Sequence, residues 1–183
     1  ESCPVPPACL ASTTEGVTRV PPPSTVVDRS IGCLLGGALG DSLGGPVEFQ
    51  QVADIRAEYG DTGISEPPPQ ALLGDGTQMA LFTGEGYLHA WTTGNNGGEW
   101  RPIESIAAAY RRWLITQQEE KPQPGVTGLL AESELYASRS PGLTSLRALQ
   151  EQRLGTPDRP RNSSKGCGGV DRTAPLGFAP SAE

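Results

Sequence analysis

The sequence predicts an all-α fold. Apolar residues recur at helical spacing in several segments, no run alternates in the manner of a strand, and glycine and proline fall between the periodic segments. A length of 183 residues, 36% of them hydrophobic, suits one domain with a single core rather than two. Aromatic residues make up only 5%, so Leu, Ala, Val and Ile must supply most of that core. With 24 glycines and 18 prolines, part of the chain is expected to be irregular.

Residues 1–27 carry proline throughout and almost no apolar periodicity, which predicts a disordered or extended tail. The domain then runs over 28–183. It opens on DRSIGCLLGGALGDSLGGPVEF, where Ile31, Leu34, Leu35, Ala38 and Leu39 repeat at helical spacing behind Asp28 or Ser30 as N-cap. Each glycine in a helix interior costs roughly 1 kcal/mol relative to alanine. So many of them predict close approach of neighbouring backbones, and hence a buried central helix over 31–42. Pro46 stops it.

VADIRAEY predicts a short amphipathic helix, followed by the loop ISEPPPQALL. In TQMALFTGEGYLHAW, Met79, Leu81, Phe82 and Leu88 form a candidate buried stripe. PIESIAAAYRRWLITQ starts with a proline suited to a first turn and places Ile103, Ile106, Ala107, Tyr110, Trp113 and Leu114 on one face. LTSLRALQEQRLG predicts a helix ended by Gly155, and NSSKGCGGVDRTAPLGF a glycine-rich loop entering another.

Several function classes are excluded. A net charge of −7, with no basic run interleaved with aromatics, does not suit a nucleic-acid surface. Four cysteines without a CxxC pair, and His89 as the single histidine, do not make a zinc site. His89 sits on a predicted helix without a partner and suits a surface or core position better than a base. The cysteine usage predicts a reducing, cytoplasmic location. No apolar run approaches the ~20 residues that span a bilayer, so no membrane partner is expected.

Three polar clusters are candidates for chemistry: Asp41 with Glu48, Asp75 with Thr77, and the Lys165-Gly-Cys-Gly-Gly loop with Asp171 and Arg172. Carboxylates with a hydroxyl suit a hard cation such as Mg²⁺. Glycine turns ahead of helices aim N–H groups at a diphosphate. Each cluster also has a plain structural reading: a helix C-cap, a turn whose Asp75 or Thr77 caps the next helix, and a tight packing point. A DxDGT phosphatase match is rejected, because Leu73 stands two positions before Asp75 and no strand precedes it.

The order of these segments resembles the ADP-ribosylglycohydrolase family, the hydrolases that include the dinitrogenase-reductase-activating enzymes. DRSIGCLLGGALGDSLGGPVEF is similar to its opening helix and GDxxGxxxE element, and LLGDGTQMALFTGEGYL to its (S/T)DDTQM segment. AYRRWL, RSPGLTSLRAL and NSSKGCGGVDRTAPLGF continue the match in order, over residues 28 to about 180.

The resemblance implies a compact orthogonal helical domain with two Mg²⁺ ions in a central cleft. The implied reaction is hydrolysis of the glycosidic bond between ADP-ribose and a modified acceptor. The partner it implies is ADP-ribose or an ADP-ribosylated protein. Glu48 matches the glutamate beside the scissile bond, and Asp41 the aspartate of the same element. Gly166, Cys167, Gly168 and Gly169 match the loop that cradles the distal ribose and phosphates. The family's three ligand positions in (S/T)DDT fall on Gly74, Asp75 and Gly76, so Asp75 alone is kept as a metal ligand. A DxDT-type element of the family's C-terminal half is not found up to Glu183, and the domain is expected to be truncated there. Asp171 stands where the family has an apolar residue. Three readings follow: a hydrolase of this family with weak or no activity, a non-catalytic module binding ADP-ribose or a protein, or a degenerate fragment.

Overall fold

A computed structural model of the chain describes residues 25–70, 72–151 and 153–178. The expected tail over 1–27 lies outside them except for its last three residues. Among the described residues the chain is helical, with no strand and one isolated bridge between Thr156 and Arg159.

Helix α1 runs Val26–Gly44. It starts earlier than the sequence predicts, because Thr25, not Asp28 or Ser30, is its N-cap. Thr25 Oγ1 accepts from the Asp28 amide at 3.1 Å while the Asp28 carboxylate accepts from the Thr25 amide, a reciprocal capping box. A 3₁₀ turn at Gly45–Val47 leads to α2 (Val52–Tyr59). Helix α3 (Asp75–Asn95) and α4 (Pro102–Thr116) form the central pair, α5 spans Leu143–Gln150, and α6 is the short turn Gly168–Asp171. The chain leaves α5 five residues before Gly155, and a further 3₁₀ segment covers Ala174–Phe178.

The core lies between α3 and α4. Met79 and Phe82 of α3 meet Ala109 and Trp113 of α4, with Leu135 from a 3₁₀ turn (Ser133–Leu135) closing the cluster. These side chains are removed from water, each worth roughly 1.5–3 kcal/mol for the larger ones. Five expected core members are not in it: Leu88 is 62% exposed and Ile103 69%, while Ile106, Ala107 and Leu114 are half-buried outside the cluster. The buried face of α4 turns instead through Ala109 and Trp113.

The close helix approach expected along α1 occurs in α3. A Cβ on Gly86 would lie 2.6 Å from the Ile106 Cα and 2.9 Å from the Ser105 carbonyl oxygen. Glycine there lets the two backbones touch. Along α1, by contrast, a Cβ on Gly32, Gly36, Gly37 or Gly40 would meet nothing within 4 Å. Ile31, Leu35 and Leu39 are 51%, 65% and 50% exposed. The expectation of a buried central α1 is therefore corrected: α3 is the central helix, and α1 packs on it by one side only.

Polar bonds fix the remaining segments on this pair. Gln78 of α3 accepts from the Trp113 indole N–H at 2.9 Å and donates to the Ala137 carbonyl at 3.1 Å. Glu85 accepts from the Leu129 amide at 2.9 Å and pairs with Arg112 at 2.9 Å. Arg112 also donates to the Thr127 carbonyl at 2.8 Å, so the 127–131 loop is held against α3 and α4.

Candidate functional site

The C-terminal end of α1 meets the N-terminus of α3, and one carboxylate joins them. Helix α3 has Gly74 as N-cap and therefore no capping side chain of its own. Asp41 supplies it from α1. Its Oδ2 accepts from the Gly74 amide at 2.8 Å, the Thr77 amide at 3.2 Å and the Thr77 hydroxyl at 2.5 Å. A negative charge at a helix N-terminus is favourable both through these bonds and through the helix dipole. The cap expected from Asp75 or Thr77 is thus made by Asp41. Gly74 permits it, since a Cβ there would lie 2.5 Å from Asp41 Oδ1.

Above this junction opens a cleft of about 840 Å³. Asp41, Glu48 and Asp75 all line it, and Asp171 adds a fourth carboxylate. Glu48 follows the Gly45–Val47 turn and is exposed. Asp75, half-buried, is the first residue of α3, and its Oδ2 accepts from the Gly142 amide at 3.2 Å. A smaller cavity of about 280 Å³ lies between α1 and α3, lined by Cys33, Leu34, Ala38 and Leu81. It shares Asp41, Gly76 and Asp171 with the cleft.

The glycine loop stands apart from this arrangement. Gly166, Cys167, Gly168 and Gly169 do not line the cleft; Asp171, two residues on, does. The Gly166 amide is taken by Ser164 Oγ at 3.3 Å. The loop is tied to α5 and α4 by Arg172, which donates to the Gly168 carbonyl and to Ser145 Oγ, the latter at 2.8 Å. The Arg172 guanidinium lies 5.4 Å from the centre of the Tyr110 ring. Burial pushes the Tyr110 hydroxyl above its ordinary pKa of 10.0, opposed by its bond to Thr83 and by the Arg172 charge.

A Mg²⁺ pair requires several carboxylates converging on one point. Asp41 spends one oxygen on three donors, Asp75 has one bonded to a backbone amide, and Gly76 offers nothing. Among the described residues, no three Asp, Glu, His or Cys side chains converge to hold a cation. The described residues do not fit a two-Mg²⁺ centre.

Among the cleft residues to which the sequence assigns no role are Ser42, Arg139 and Ser140. The one available signal was the Arg-Ser-Pro-Gly turn of residues 139–142. Ser140 has φ of 52°, the left-handed region, the only such non-glycine residue among those described.

The described residues thus form a helical domain with an acidic cleft at a helix N-terminus. The family model for ADP-ribosylglycohydrolase matches residues 22–183, and the chain belongs to that family. The family acts on ADP-ribosylated substrates. No curated protein and no solved structure matches the chain. No helix among the described residues is long and apolar enough to cross a membrane.

Proposed function

We propose that the chain is an ADP-ribosylglycohydrolase-like protein whose cleft takes ADP-ribose, free or attached to a protein, with weak or no hydrolysis of the glycosidic bond. The observation that carries this reading is the use of Asp41. A carboxylate of the cleft is committed to capping α3, while Gly74 and Gly76 stand at two positions where the family resemblance places ligands. The Mg²⁺ dependence of the family reaction has little to rest on here, because no three acidic side chains converge among the described residues, and a carboxylate acting alone leaves Mg²⁺ with most of its waters. Glu48, exposed on the cleft wall, is the candidate general acid or base for residual turnover. The cleft volume of about 840 Å³ falls within the range of small-molecule sites. Cys33 and Cys167, in no disulfide among the described residues, suit a reducing, cytoplasmic setting.

Calorimetric titration with ADP-ribose tests the binding half of this reading. The expected result is saturable binding with the same affinity in chelator and in millimolar Mg²⁺. An affinity that rises tenfold or more with Mg²⁺ would overturn it.

A further inference from the structure

Among the described residues that line the acidic cleft stands one cation. Arg139 is half-buried, lines the wall, and forms no hydrogen bond or ion pair with the described residues, although four carboxylates share the cleft with it. A guanidinium that is partly withdrawn from water and left unpaired carries a desolvation cost that a ligand can offset. Its backbone is not loose. The segment 137–142 is tied at both ends to the first turn of α3, through Gln78 to the Ala137 carbonyl at 3.1 Å and through the Gly142 amide to Asp75 at 3.2 Å. Between those ties Ser140 holds its φ of 52°, a conformation that persists only where the surroundings enforce it.

A second, independent group in the same wall lacks a partner. Ser42 is only 3% exposed, and its hydroxyl makes no hydrogen bond to the described residues. Such groups are normally satisfied, so an orphan in a cleft wall marks a place where a polar ligand or its water completes the bonding.

We propose that Arg139 is the anion-binding group of the cleft, pairing with a phosphate or diphosphate of the ligand. This rests on reading the cleft as a ligand site and deepens it: the anion is held by a guanidinium on the 137–142 segment rather than by the Gly166–Gly169 amides. The planar fork of arginine suits bidentate bonding to phosphate oxygens, and lysine replaces it only in part. The neighbouring carboxylates repel an anion placed elsewhere in the cleft, which restricts its position to the Arg139 side.

The test is calorimetry in chelator on the full chain and on Arg139→Gln and Arg139→Lys, with three probes: ADP-ribose, inorganic diphosphate and adenosine. Arg139→Gln should weaken ADP-ribose and diphosphate at least about tenfold, as expected for a lost charge-assisted pair. Adenosine affinity and the thermal midpoint should not change, because Arg139 bonds to no described protein group. Arg139→Lys should fall between the two. Diphosphate bound in an Arg139-dependent way without any ADP-ribose binding would uphold the anion site and sink the ADP-ribose reading. If Arg139→Gln binds either anion as tightly as the parent chain, or the parent chain binds neither, the assignment is wrong.

Discussion

Asp41 and Thr77, 36 residues apart in sequence, share a 2.5 Å hydrogen bond that fastens α1 to the N-terminus of α3. The same Asp41 oxygen also takes the Gly74 and Thr77 amides, so one side chain serves as both cap and clasp. Replacing Asp41 by Ala leaves these donors without an acceptor in a half-buried place. The expected loss is about 1–3 kcal/mol of unfolding free energy, read by urea denaturation. Unchanged stability would mean the clasp is not made in solution.

Gly74 and Gly76, two positions apart, should respond differently to a side chain. A side chain at Gly74 collides with the Asp41 carboxylate, so Gly74→Ala, which cannot cap the helix itself, is expected to displace the cap and cost about 0.5–2 kcal/mol. A Cβ at Gly76 meets nothing within 4 Å, and Gly76→Asp should fold with stability close to that of the parent chain. Thermal denaturation of the two variants side by side checks the contrast.

Gly86 marks the closest contact of α3 and α4. Gly86→Ala gains helix propensity of roughly 1 kcal/mol, but its Cβ would press on the Ile106 Cα and the Ser105 carbonyl, backbone atoms that cannot swing aside. Overpacking of about 1–3 kcal/mol is expected to exceed the gain. A net loss of stability with a reduced Trp113 signal is the expected result; a more stable variant would place the helices further apart.

The Tyr110 hydroxyl, held against Thr83 at 2.7 Å and largely buried, is raised above 10.0, chiefly by desolvation. A raised folded-state value means the folded protein holds this proton more tightly than the unfolded chain. Its contribution is therefore fully present below pH 10 and is lost as pH rises through the folded value. Stability measured from pH 8 to 11 should fall at the alkaline end, and the fall should be shallower in Tyr110→Phe.

Helices α3 and α4 were legible because their boundaries and periodicity agree: Pro102 opens α4, and Met79, Phe82 and Trp113 fall on the buried faces. The position of α1 was not. A helix apolar on all sides and rich in glycine is ordinarily buried, and nothing in its spacing says that its Ile31, Leu35 and Leu39 side is left open. The real site of backbone contact, Gly86, is one of the two glycines in GEGYL. On the site, the motif order gathered Asp41, Glu48 and Asp75, which do line one cleft. It did not reveal that Asp41 caps a helix 33 residues or more away, since that contact is tertiary. Nor did it point to Arg139, whose position depends on the bonds from Gln78 and Asp75 to its segment.

Release of ADP-ribose from an ADP-ribosylated protein distinguishes a cleft that takes ADP-ribose, as proposed, from one that also supports metal-dependent hydrolysis. The assay runs with and without millimolar Mg²⁺, on the parent chain and on Gly76→Asp. The account predicts no Mg²⁺-stimulated release by either, because Asp41 is committed to the α3 cap and one added carboxylate still leaves too few ligands for two mutually repelling cations. Robust Mg²⁺-dependent turnover by the parent chain would contradict it.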